Sequence, residues 1–444
     1  MNKHLTSVDQ SDRLVPYNLR QSGETPVEML IFTRVRKSPF WHLSVEAGCW
    51  RATIYNRIYH PFGYVRPEDG GTMVEYQALK NHVTMWDVAV ERQIMVKGPD
   101  AEAFVDYVIT RDATQIPPMR AKYVILCNNM GGVLNDPILL RLSKDEFWFS
   151  LADSDIGIYL QGVNHDNRFD VVIDEIDVCP LQIQGPKSLA LMEDLVGNQA
   201  DVKNLPFYGM LEAKIGGHDC VISQTGFSGE AGFEIYLRDA TLHADDLWYA
   251  VLEAGRKYQL MVTAPPHCRR IQAGILSWGQ DMDNQHNPFQ CNLGYQVSLS
   301  GKGEWNKAGN YIGKDVLEQM QSELKSGKRP YKLQLVGLKM GGKPIEDFAN
   351  DFWLISADDS ANPCGFVTSP WFHPDEKTNI AMAYVPFDGT LNRHGFPIGN
   401  YGQKFKVHLP DKYAEKAGEP VDAEVVKMPF TTSVNLNIRE IIDS

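Results

Sequence analysis

Residues 223–237 read SQTGFSGEAGFEIYL, and Gly226, Phe227, Ser228 and Gly229 resemble the elbow that presents a serine nucleophile. An elbow needs glycine two residues before and two residues after the serine, on a turn from strand to helix. Here the second slot is Glu230, and the GFEIYL that follows alternates as a strand does. A turn that feeds a strand argues against nucleophilic Ser228, so chemistry is sought elsewhere. In NNMGGVLNDPILL, residues 128–140, Asn135 and Asp136 follow a Gly-Gly turn and precede an apolar run. They read either as hairpin residues that satisfy turn backbone or as a carboxylate held at the start of a rigid strand. Arg270, in RRIQAGILSWGQDMD, falls on an expected helix with Ile271, Ile275 and Trp278 on its apolar face. It is either a solvated or salt-bridged surface group or a two-pronged clamp for a ligand carboxylate. WRATIYNRIYHPFGY, residues 50–64, gathers Trp50, Tyr55, Tyr59, His60, Phe62 and Tyr64. Such rings form core, or they surround a small cation by cation–π attraction worth about 0.5–2 kcal/mol per good ring.

Common cofactor motifs fail on inspection. GKGEWN lacks the third glycine of a dinucleotide fingerprint, and GNYIGKD has neither the spacing nor the Ser/Thr of a phosphate loop. The histidines show no H-E-x-x-H or paired spacing, so no metal site is expected.

The elements that must position these residues follow from composition and periodicity. The chain has 444 residues, enough for two or three domains, and a net charge of -13, which argues against general nucleic-acid or membrane-surface binding. Seven scattered cysteines without a C-x-x-C pair fit reduced thiols in the cytoplasm. The polar opening MNKHLTSVDQSDRL lacks a signal-peptide core, and no run of about 18 apolar residues occurs, so neither export nor membrane insertion is expected. VKGPDAEAFVDYVIT and IQGPKSLALMEDLVG repeat one pattern, a strand, Gly-Pro, then apolar positions every three or four residues. This predicts an α+β body with two subdomains related by a pseudo-repeat. From residue 331, short strands broken by Pro, Gly, Asn and Asp predict a separate β-rich domain, with GKDVLEQMQSELKSGKR, residues 313–329, as a helical connection.

GGVLNDP, QTGFSGEAGFEIYL, RRIQAGILSWGQDMDNQHNPFQCNLG, YIGKDVL and GFVTSPWFHP occur in the order and spacing of the folate-dependent aminomethyltransferase family, typified by the glycine-cleavage T-protein. The resemblance runs from about residue 36 to the end, leaving an N-terminal extension of residues 1–35. Within the family, RVRKSPFWHLSVEAG, YNRIYHP, ALKNHVTMWDVAVERQ and WFSLADSDI resemble the branch of tetrahydrofolate-dependent dimethylsulfoniopropionate demethylases. A T-protein would be expected to show Gly-Trp-x-Met-Pro near residue 50, two aspartates at 135 and 136, and tyrosine at 227, and none of the three is present. The resemblance implies three domains around a central opening that takes the folate, with residues 36–330 as the folate-binding body and 331–444 as a C-terminal β-barrel. It implies that Tyr123, Phe227 and Glu234 contact the pterin, that Arg270 binds a folate carboxylate and that Asp136 acts at N5. Trp50, Tyr55, Tyr59 and His60 would then hold an onium methyl donor. Tetrahydrofolate is the expected methyl acceptor, and no lipoyl carrier protein is expected. The alternatives are a lipoyl-dependent aminomethyltransferase, an aromatic O-demethylase with Tyr59 or His60 as acid, and a non-catalytic folate-binding protein.

Overall fold

A computed structural model describes residues 31–299, 307–348, 353–357, 362–409 and 419–431. Most of the expected N-terminal extension therefore lies outside the described residues. Among those described, no helix is long and apolar enough to cross a membrane. The described residues form two compact units, one of those in 31–125 and 135–266 and the other of those in 126–134 and 267–431.

The first unit contains two large sheets besides a two-stranded hairpin, and the pseudo-repeat builds one strand-to-helix step into each large sheet. Gln93–Lys97 leads to the helix Ala101–Val108 in a five-stranded antiparallel sheet, and Val178–Gln184 leads to Ser188–Val196 in a six-stranded sheet. The prolines fall in the turns rather than in the first helical turn, where the sequence pattern had suggested them. Glycine is required at both turns. A Cβ on Gly98 (φ +150°) would lie 2.4 Å from the Asp170 carbonyl oxygen, and one on Gly185 (φ +125°) 2.6 Å from that of His82.

The six-stranded sheet runs Met210–Ile215, His218–Ser223, Gly232–Arg238, Val178–Gln184, Val83–Asp87, Leu260–Val262, with only the last pair parallel. Period-two alternation divides its residues between two faces. Ile183, Ile222, Phe233, Ile235 and Leu237 pack with Leu191, Met192, Leu247 and Trp248 of two helices as the main core. On the opposite face, Val178, Val221 and Tyr236 pack with Ala121, Leu140 and Trp148 of the five-stranded sheet. The two sheets therefore meet along a seam. Polar residues continue this second face beyond Tyr236, and the site described below lies there.

The second unit contains a closed six-stranded barrel whose strands Leu333–Met340, Pro363–His373, Thr378–Pro386 and Lys404–His408 coincide with the β-rich texture of the sequence. Its interior is filled by Val336, Leu338, Trp353, Ile355, Val407 and Val425. The expected helix forms at Lys314–Lys325, but it lies within this unit and does not connect the two.

Replacing Gly98 or Gly185 with alanine should destabilise the fold by at least about 2 kcal/mol, because backbone oxygens cannot yield as a side-chain tip can. Gly217→Ala is the control: it has positive φ but no atom within 4 Å of its Cβ. It should lose only about 1 kcal/mol from strain. Denaturant unfolding that ranked all three alike would refute the steric account.

Candidate functional site

One end of the five-stranded sheet sets a row of cross-strand partners, Tyr123 opposite Ile138, Ile138 opposite Ser150, and Ser150 opposite Gln93. Asp136 and Glu91 each lie two residues before a member of this row, so both carboxylates project from the same sheet end. The Tyr123 hydroxyl donates to Asp136 Oδ2 at 2.8 Å. The Ser150 hydroxyl donates to Glu91 Oε2 at 2.9 Å and accepts from Gln93 Nε2 at 2.8 Å. Asn135 is fully buried and braces the neighbouring loop. Its amide donates to the Ala152 carbonyl and the Ser154 hydroxyl while its oxygen accepts from the Ala152 N–H. Of the sequence pair, Asn135 ties down residues 152–154 and Asp136 is the half-buried carboxylate.

Across the seam, the six-stranded sheet places Glu234 opposite both Gln182 and Ser223. Glu234 is only 3% exposed. Gln182 Nε2 donates to its Oε1 at 2.5 Å, while Thr225 Oγ1 and the Tyr236 hydroxyl donate to its Oε2 at 2.5 and 2.6 Å. Tyr236 also lies beside Ser150, so the hydroxyl that donates to Glu234 adjoins the one that donates to Glu91 across the seam. Burial raises the Glu234 carboxyl above the usual range, against the lowering by its three donors. Burial and the nearby negative charge of Glu234 push Glu91 well above it. Oε2 of Glu234 is occupied by protein donors. The remaining acceptor capacity lies on Oε1 and on the neighbouring Gln182 Oε1, which is buried without a hydrogen bond. Two adjacent acceptors of this kind fit two adjacent N–H donors on a planar ring.

Aromatic residues reach this region on a hairpin, Arg51–Tyr55 with Ile58–Gly63. Its two-residue turn has Asn56 and Arg57 at φ +49° and +60°, the left-handed pair of a type I′ turn. Asn56 is 5% exposed and docks the turn, donating from Nδ2 to the carbonyls of Val90 and Ala152 and from its N–H to Asp153 Oδ1. Tyr55 is thereby carried next to the carboxylates. Burial raises its hydroxyl pKa strongly, and the negative charges of Asp136, Glu91 and Asp153 add to this. Its ring lies 6.0 Å from that of His60, which lies 6.0 Å from Phe62. Burial lowers His60 to about 4, so it is a neutral ring at physiological pH, and its Nδ1 is buried without a hydrogen bond.

The four expected cage residues do not assemble into one cage. Strand alternation turns Tyr59 to the opposite side of the hairpin, against Trp41 with centroids 4.9 Å apart. Trp50 donates to the Val65 carbonyl and lies under the Arg66 guanidinium. Only Tyr55 and His60 adjoin each other.

The turn between His218–Ser223 and Gly232–Arg238 holds Ser228 buried, its hydroxyl donating to Gln184 Oε1 at 2.7 Å and accepting from the Glu230 N–H. The Gln184 side chain also donates to the Thr225 carbonyl, filling space that a Cβ on Gly226 or Gly232 would need. Ser228 is thus a turn fastener, and Phe227 beside it is half-buried. In the other unit, Arg270 is neither a surface group nor an open clamp. It is 2% exposed, pairs with Asp281 at 2.5 Å, and donates to Ser369, Gln280 and the Ile275 carbonyl. These bonds occupy the guanidinium, so it is not assigned to a ligand. His218, His243 and Asp246 do bring potential metal-ligand atoms within 4.8 Å of one another, a grouping that sequence spacing did not reveal. His218 is, however, already bonded to Asp246 at 2.8 Å on an open surface.

Residues 42–301 match the family model described as the GCVT N-terminal domain. The dimethylsulfoniopropionate demethylase of Ruegeria pomeroyi is 32% identical over 79% of this chain and 90% of its own length. An aminomethyltransferase of Caldanaerobacter subterraneus subsp. tengcongensis is 30% identical over 70% of this chain and 79% of its own. Among solved structures, the glycine cleavage system aminomethyltransferase T of Bartonella henselae superposes with a TM-score of 0.73 over 90% of this chain and 99% of that one, at 22% identity. The chain belongs to the folate-dependent aminomethyltransferase family, with its α+β architecture and C-terminal barrel.

Because His60 stays neutral when folded down to about pH 4 yet protonates near 6.5 when unfolded, the unfolded state binds the extra proton in that window. Stability should therefore fall as pH drops from 6.5 toward 4. In His60→Phe this loss should be smaller, read as the difference in Tm between about pH 7 and about pH 4.5. An identical fall in both proteins would mean that His60 is not held neutral by burial.

Proposed function

We propose that this protein is a tetrahydrofolate-dependent demethylase, moving a methyl group from a small onium donor such as dimethylsulfoniopropionate to N5 of tetrahydrofolate and giving 5-methyltetrahydrofolate. The observation that carries the reading is the meeting, in one unit, of the Tyr123–Asp136 pair, the Gln182–Glu234 acceptor pair and the Tyr55–His60 rings. Membership of the family supports the folate. Similarity to the Ruegeria pomeroyi demethylase and the departure from the expected T-protein pattern at Asn135 and Phe227 support the onium donor. The seven free cysteines support a reducing, cytoplasmic setting.

Gln182 and Glu234 would accept from the pterin's 2-amino group and adjacent ring N–H, with Phe227 as a wall and Tyr123 as a further contact. The N5 lone pair forms the new carbon–nitrogen bond while the carbon–sulfur bond breaks and its electron pair remains on sulfur, which leaves as a neutral thioether. Such a leaving group needs no acid, so the protein acts chiefly by aligning nitrogen, carbon and sulfur. Asp136, its orientation fixed by the Tyr123 hydroxyl, stabilises the positive charge arising at N5 and assists loss of the N5 proton. The Tyr55 and His60 rings line the donor's methyls.

Purified protein with tetrahydrofolate should demethylate dimethylsulfoniopropionate without a lipoyl carrier or added metal, with both products visible by mass spectrometry. Methylene-tetrahydrofolate formed only with an aminomethyl-lipoyl carrier, or transfer only from an aryl methyl ether, would replace the reading. Asp136→Asn should lower kcat by more than tenfold while calorimetric tetrahydrofolate affinity changes only a few-fold, since the charge acts mainly in the transition state. Loss of affinity in step with kcat would make Asp136 a binding residue. Glu234→Ala should weaken tetrahydrofolate binding by about 1–3 kcal/mol. Ser228→Ala should cost stability and leave that affinity intact, and equal loss in both variants would refute the pterin assignment.

A further inference from the structure

Glu91 differs from Glu234 in one respect. Glu234 is enclosed and accepts from three protein donors, whereas Glu91 accepts a single hydrogen bond, from Ser150 to Oε2, and remains partly exposed. Oε1 of Glu91 has no hydrogen bond to any described residue. The groups around it are Glu234 and Tyr236 of the six-stranded sheet, Ser150 of the five-stranded sheet, and Tyr55 on the hairpin, whose hydroxyl also feels Asp136 and Asp153. The neighbouring Arg92 is turned away and paired with Glu175 and Asp155. Among the described residues, neither Glu91 nor Glu234 forms a salt bridge, and His60, its ring 6.0 Å from that of Tyr55, is neutral. Two carboxylates thus share a low-dielectric seam with hydroxyls and aromatic rings but no cationic side chain among the described residues. Hydroxyl donors only partly offset the cost of such an arrangement, and a small cation placed against the open oxygen would offset more.

We propose that the open carboxylate oxygen of Glu91 is the counter-charge for the methyl donor's onium centre, so that this residue selects a cationic donor over a neutral one of the same shape. The inference rests on the demethylase reading above and names the residue that sets its donor class. Tyr55 contributes its ring face, and the Ser150 hydroxyl, itself held by Gln93, fixes Oε2 of Glu91. The donor's positive charge passes from sulfur to N5 as the carbon–sulfur bond breaks with its pair on sulfur and the carbon–nitrogen bond forms. A carboxylate at the sulfur end therefore favours the bound donor more than the transition state, and its effect belongs in KM.

The test uses full-length protein, tetrahydrofolate and dimethylsulfoniopropionate. Glu91→Gln, which keeps an acceptor for Ser150, should raise the donor KM tenfold or more while kcat and the tetrahydrofolate Kd change less than about threefold; Glu91→Asp should restore part of the loss. Because burial and Glu234 hold the Glu91 carboxyl high, the cation binds the ionised form in competition with a proton. The wild-type KM should therefore fall as pH rises, and that slope should flatten in Glu91→Gln. A measurement independent of any variant's folding compares the donor with 4-methylpentanoate, its neutral-carbon isostere, as a competitive inhibitor of wild-type protein. The isostere should bind at least tenfold more weakly. An unchanged KM in Glu91→Gln, a fall in folate affinity parallel to kcat, or equal binding of the isostere overturns the counter-charge. Wild-type protein that neither binds nor demethylates any onium compound overturns the demethylase reading itself.

Discussion

The arrangement depends on one buried carboxylate. Glu234 lies on the inner face of a six-stranded sheet where that sheet meets a second one, 3% exposed and, among the described residues, without a cationic partner. A charge in that position persists only if hydrogen bonds replace the lost hydration. Gln182, Thr225 and Tyr236 supply them. Each donor is itself fixed: Gln182 by cross-strand register, Thr225 by the turn pinned to Gln184, and Tyr236 by packing with Trp148. The positions of the candidate site residues thus follow from satisfying one carboxylate, and Ser150, beside Tyr236, satisfies one oxygen of Glu91 in the same way.

Two copies of a strand, Gly-Pro turn and helix make the seam possible. Each copy begins or crosses a different sheet, and at each turn a glycine lets the chain pass within contact of a backbone carbonyl. Apolar side chains of both sheets close one length of the seam, and the polar length beyond Tyr236 is left for Asp136, Glu91, Glu234 and the docked hairpin. The site therefore occupies the stretch where sheet-on-sheet packing changes from apolar to polar.

Much of the fold was legible because periodicity and punctuation are local. The alternation in GFEIYL gave the strand that carries Glu234, and the Gly-Pro pair gave both strand-to-helix steps. Glu91 and Gln182 were not legible, since their importance comes from register between strands about 50–60 residues apart, which no window of sequence contains. The aromatic stretch from Trp50 to Tyr64 was legible as a cluster but not as a cage. Density of rings says nothing about faces, and the alternation that defines a strand sends Tyr59 to Trp41 while Tyr55 and His60 stay on the other side. The burial of Arg270 was not legible for a related reason. A helix pattern marks its neighbours as apolar without showing that Asp281 and Ser369 converge on the guanidinium.

Under the demethylase reading proposed above, the charge balance of the candidate site bears on what kind of methyl donor it would take. Tyr55 resists ionisation because burial and neighbouring carboxylates penalise a phenolate, and burial keeps His60 neutral. Neither ring, then, offers a cation to a developing phenolate or an anion to a developing cation. An aryl ether would leave as an anion into a region already rich in carboxylates, and like charges in a low-dielectric seam repel at a cost of several kcal/mol. On that reading, a sulfonium or quaternary ammonium would bring the missing positive charge and depart neutral, while the charge transferred to N5 would move toward Asp136. Electrostatics alone therefore favours an onium donor over an aryl ether.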